Sequence, residues 1–139
     1  MHSEMVQLLG EFLGTFILIL LGNGVVSGVV LNKTKATGAG WVAITLGWGF
    51  AVMMGVYISG FMSPAHLNPA VTIAMAMIGS FSWSLVLPYI IAQMLGAMVA
   101  SIILYLMFYP HYAETKKSSR YLGHVFYRSG SSSDRPKFD

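Results

Sequence analysis

The sequence contains no cysteine. That excludes disulfides, cysteine-ligated zinc and a thiol nucleophile. Charge is nearly as scarce. Asp, Glu, Lys and Arg make up 9% of the 139 residues, and none lies between Lys35 and Glu114. A soluble domain carries about 25%. The histidines, His2, His66, His111 and His124, are scattered, and there are no paired carboxylates and no phosphate-cradling glycine loop. No catalytic constellation, metal-ligand set or cofactor motif can be assembled from what remains, which points away from an enzyme. The formal charge is +3, but six of the eight basic residues fall from Lys116 onward. That stretch has no aromatic platform or recognised binding motif, so no nucleic-acid partner is expected.

What is present is apolar sequence. The hydrophobic fraction is 55%, the composition of a membrane protein rather than a soluble domain. Three runs are long enough to span a bilayer, at about 6–31, 41–60 and 83–108. The residues before the first run include no Lys or Arg, so it reads as a retained span and not a secretory signal. Gly10 with Gly14, Gly24 with Gly28, and Gly96 with Ala100 have the small-xxx-small spacing that lets helices approach closely. A polar connection at 32–40 carries Lys33 and Lys35. From Pro110 the composition turns polar, serine-rich and basic. Residues 1–109 therefore read as the membrane unit and 110–139 as a disordered tail.

The stretch at 63–72, S-P-A-H-L-N-P-A-V-T, organises the rest. Asn68 has the chemistry of a helix N-cap, and Pro69 suits the first helical position, where a missing N–H costs nothing. The helix predicted from there, about 68–78, ends near Gly79. At 1.5 Å per residue it covers about half of a hydrocarbon core about 30 Å thick. The spacing therefore predicts a re-entrant half-helix whose N-terminus faces a cavity inside the membrane. Extended backbone at 61–67 is tolerated at that depth only where it is buried in protein or lines water.

The string A-H-L-N-P-A-V-T, with spans on both sides, closely resembles the first signature of the aquaporin and aquaglyceroporin family, the major intrinsic proteins. The resemblance covers about 7–109 and is to the N-terminal half of a glycerol uptake facilitator of the bacterial type. It implies an all-α membrane protein: a half-barrel of three transmembrane helices plus one re-entrant half-helix, multi-pass in the plasma membrane. It implies passive passage of glycerol, other small uncharged solutes and water, and a tetramer by family analogy. Trp48 matches a position in the family's narrow selectivity region, where Trp is similar to the glycerol-conducting branch; read from residues alone, it is a packing or lipid-facing aromatic. Asn68, Pro69 and Ala70 would form the half-helix motif, with the Asn68 NH2 donating to a passing oxygen. Ser63, Pro64, Ala65 and His66 would offer backbone carbonyls along one wall, with the His66 side chain packing and orienting the loop. Pro64 stands where the family usually has Gly, which removes a donor and fixes φ.

Two polar residues lie inside the spans. Glu11 reads either as an interfacial carboxylate near a helix start or as a buried carboxylate bound to backbone N–H groups. Gln93 reads as a helix–helix hydrogen bond. The resemblance implies that both brace the re-entrant loop, Glu11 through the pattern E-F-L-G-T and Gln93 through I-A-Q-M-L-G-A.

The 139 residues hold a single Asn-Pro-Ala. The family's pore takes a second, inverted repeat, and inverted repeats meet at the midplane. The expectation is accordingly that this chain does not conduct alone. The alternatives are a non-conducting membrane fragment and a small unrelated scaffold. The orientation signals oppose one another: the resemblance puts the N-terminus in the cytoplasm, whereas the placement of Lys and Arg predicts the reverse.

Overall fold

The computed structural model describes residues 3–116, and every regular element among them is a helix. They are α1 (Glu4–Val30), α2 (Gly40–Ser59), α3 (Pro69–Met77) and α4 (Trp83–Lys116). α1, α2 and α4 are each long and apolar enough to cross a membrane. At 1.5 Å per residue, the 20 residues of α2 give about 30 Å, and the nine of α3 only about 14 Å. The three spans and the half-helix match the expected architecture.

α1 is the central element. It packs against α2 on one side and α4 on the other, and α3 rests on α4. Small residues set these distances. A Cβ built on Gly55 would lie 2.9 Å from the Gly14 carbonyl, and one on Gly96 would run into that of Phe12. Only backbone can come so close to backbone, so α1 touches both neighbours without side chains between. The predicted pair Gly24 and Gly28 differs: there a Cβ would meet neighbours at 3.5 and 3.8 Å, ordinary contact. The outer faces of α2 and α4 expose Leu46, Phe50, Met53, Met98, Ile102 and Leu106, apolar surface suited to lipid.

α4 does not stop at 108, where hydropathy falls. It continues through Pro110 to Lys116. Contacts with the connection after α1 hold this last stretch. The Asn32 N–H donates to Thr115 Oγ1 at 2.8 Å, and its carbonyl meets His111 Nδ1 at 3.1 Å. Lys33 Nζ pairs with Glu114 Oε1 at 2.9 Å. Tertiary partners thus extend a helix beyond its apolar run. The rest of the expected disordered tail, 117–139, lies outside the described residues.

Candidate functional site: a groove at a half-inserted helix

α3 starts as its sequence dictates. Asn68 is extended, with φ −153° and ψ 125°, and its Oδ1 accepts from the Ala70 N–H at 2.9 Å. Pro69 is the first helical residue. The helix ends at Met77 with Ile78 as its C-cap, and Gly79, with a φ of +75°, turns the chain toward α4.

The segment before α3 is strained. Ala65 and Leu67 have φ of +54° and +52°, a region that L-residues with a Cβ enter at a cost of about 1–3 kcal/mol each. Glu11 holds them there. Its side chain is fully buried, at 0% exposure, which excludes the interfacial reading. Oε1 accepts from Ser63 Oγ at 2.8 Å and from the His66 N–H at 2.9 Å. Oε2 accepts from the Leu67 N–H and from Gln93 Nε2, both at 2.8 Å. Two donors on each oxygen give the carboxylate a solvation shell made of protein, which a buried charge requires.

Gln93 is 1% exposed and donates a second time, to Thr72 Oγ1 at 3.0 Å. The Thr72 hydroxyl donates in turn to the Asn68 carbonyl at 3.1 Å. A continuous chain of hydrogen bonds thus ties α1, α4 and the first turn of α3. His66 packs edge-on against Phe81 at 4.9 Å and tilted against Tyr89 at 5.6 Å. Tyr89 anchors this cluster by donating to Gln7 Oε1 at 2.6 Å.

A groove of about 520 Å³ runs past this assembly. Its lining includes Leu18, Ile19, Trp48, Val52 and Val56 from α1 and α2, and Ala65, His66, Leu67, Asn68 and Pro69 from the loop and the start of α3. The Asn68 NH2 has no hydrogen-bond partner among the described residues. Of the residues named from sequence, Trp48, Ala65, His66, Asn68 and Pro69 come together on the groove; Ser63, Pro64 and Ala70 are not part of its lining. Ser63 turns its hydroxyl to Glu11, and Pro64 is exposed. Glu11 and Gln93 both meet the loop or the half-helix, with Gln93 also reaching the groove. Sequence reasoning missed Thr72 and Thr15. Thr72 sits one turn beyond Asn68, the register for a hydroxyl to reach that carbonyl, and this was the available signal. Thr15, one turn beyond Glu11, also lines the groove.

This is an all-helical membrane protein in which a half-inserted helix, braced by a buried carboxylate, presents its N-terminus to an amphipathic groove. The family model described as Major intrinsic protein matches residues 2–130, and the chain belongs to that family. The match runs past 109, where resemblance to the family stops in the reading of the residues alone. The chain is 64% identical over 117 residues to glycerol uptake facilitator protein 3 of Lactiplantibacillus plantarum, covering 84% of this chain and 49% of that one. It is 58% identical over 116 residues to the glycerol uptake facilitator protein of Streptococcus pneumoniae, covering 84% and 50%. The X-ray structure of the aquaglyceroporin from Plasmodium falciparum superposes with a TM-score of 0.75 at 37% identity, over 82% of this chain and 46% of that one. The chain thus spans about half the length of the curated relatives it matches.

Proposed function

We propose that this chain forms one wall of a membrane pore for glycerol, other small uncharged solutes and water. The observation that carries the proposal is a single groove whose lining joins the apolar surface of Trp48, Val52 and Val56 with Asn68 at the N-terminus of α3. A polyol has a carbon backbone on one edge and hydroxyls on the other. The apolar surface suits the first; the Asn68 NH2 and the non-helical backbone at 65–67 suit the second. The positive end of the half-helix disfavours cations and protons in such pores. Relatives named for glycerol uptake support the solute class.

The groove is open rather than enclosed, and its backbone polar groups need cover at membrane depth. Conduction therefore requires a complementary half. Stopped-flow glycerol uptake into proteoliposomes tests this. The chain alone is expected to match empty liposomes. The chain reconstituted with the C-terminal half of the Streptococcus pneumoniae relative is expected to take up glycerol in proportion to assembled protein. No uptake from a demonstrably assembled pair would remove the pore reading and leave a non-conducting membrane protein.

A further inference from the structure

We infer that Gly22 is the positioning residue for Trp48: its missing side chain is the seat of the indole, and it decides how far the ring stands into the groove. The consequence for solutes rests on the pore reading above, while the seating of the ring does not.

A Cβ added at Gly22 would lie 2.5 Å from Trp48 Cε3, 2.6 Å from Cζ3 and 2.8 Å from Cδ2. All three atoms belong to the six-membered ring of the indole, so the contact is with its flat body rather than a flexible tip. Carbon contacts normally lie at about 3.5–4.0 Å, so the ring would have to move by about 1 Å.

Backing away is blocked by a reciprocal contact. A Cβ on Gly47 would lie 2.7 Å from both Val25 methyl carbons. Gly22 and Val25 are three apart on α1 and share a face, while Gly47 and Trp48 are neighbours on α2. Each helix inserts a side chain into a gap left by glycine on the other. Sliding or separating α1 and α2 would open both contacts and the Gly14–Gly55 approach as well. The soft direction for Trp48 is therefore the groove, which it already lines.

The test uses Trp48 as its own reporter. Trp41 and Trp83 are exposed, at 78% and 61%, and can be replaced by Phe, leaving Trp48 as the single tryptophan. In that chain Gly22→Ala is expected to shift Trp48 emission to the red and to raise its quenching by acrylamide, with the helical circular dichroism unchanged. Unchanged emission and quenching in a folded Gly22→Ala chain would overturn the inference. Should Gly22→Ala fail to fold, Gly22→Ala with Trp48→Phe decides, because the smaller ring withdraws the obstructing edge. Recovered folding supports the seat, and continued failure overturns it. In the chain assembled with a complementary half, Gly22→Ala is expected to lower the glycerol-to-water flux ratio about tenfold, the order of discrimination one methylene gives in an apolar pocket. The same change in a Trp48→Phe background is expected to leave the ratio alone. A moved ring with an unmoved ratio would uphold the seat and count against Trp48 as part of the selectivity wall.

Discussion

Gln93 and Thr72 meet at 3.0 Å, and through them the carboxylate of Glu11 is coupled to the backbone of Asn68. The relay runs from α1 to α4 to α3 through direct hydrogen bonds. It ties the half-helix to α1 as well as to α4, the helix it packs against directly.

Removing the acceptor should be the most damaging single change. Glu11→Ala leaves four buried donors without their partner, each costing about 1–3 kcal/mol when unsatisfied. The expected loss is about 3 kcal/mol or more, read from unfolding of the purified chain in mixed micelles. Glu11→Gln should lose less, since one carbonyl oxygen remains. A Glu11→Ala chain as stable as the parent would show that the carboxylate does not hold the loop.

The relay itself is open to a double-mutant cycle. Thr72→Val keeps the shape and deletes the hydroxyl, and Gln93→Leu deletes the amide. Each should destabilise the chain, and together they should cost less than their sum by about 1 kcal/mol, as expected for groups in one network. Strict additivity would mean that the two residues act independently.

The proposed pore reading predicts changes in solute selection, to be measured on the chain assembled with a complementary half. Asn68→Ala removes both the cap of α3 and the amide of a groove-lining residue and is expected to reduce glycerol and water flux together. Trp48→Phe is expected to lower glycerol flux relative to water, because the apolar wall recedes. A ratio unchanged in Trp48→Phe would take that residue out of the selectivity region.

The contacts at the end of α4 should be unequal in worth. Lys33 and Glu114 form an exposed pair, with side chains 71% and 36% accessible, so Glu114→Gln should change stability by less than about 1 kcal/mol. Thr115 is 3% exposed and bonded to the Asn32 N–H, so Thr115→Val should cost more. Equal costs would contradict this ranking.

Membrane sidedness follows from three spans and a half-helix. The chain lacks cysteine, so single cysteines can be placed at will. Asn32→Cys and Ala113→Cys should be labelled from one side and Ser80→Cys from the other. Asn32 and Ala113 on opposite faces would overturn the span count.

The spans and the half-helix were legible because their signals are local: long apolar runs, an Asn-Pro cap and a following glycine. The groove residues were legible in part, through the resemblance. Thr72 was not. Its register one turn beyond Asn68 hints only at a local backbone bond, and its part in the relay emerges once Gln93, 21 residues on, is known to face it. The reach of α4 to Lys116 was hidden for a similar reason. Composition falls off at Pro110, while the partners that continue the helix, Asn32 and Lys33, lie far back in the chain. Local pattern carries local structure; pairings between distant segments leave little trace in a single sequence.

The order of partners around Glu11 also bears on how the protein is made. Every donor to that carboxylate, from Ser63 and the loop to Gln93, is synthesised after it, the last being 82 residues later. The first helix therefore leaves the ribosome with its carboxylate unaccompanied, in a segment otherwise fit for lipid. Until Gln93 has emerged, that helix does best where water or another protein shelters its polar side. Insertion of α1 is thus expected to be coupled to the arrival of α4 rather than to proceed as an independent span.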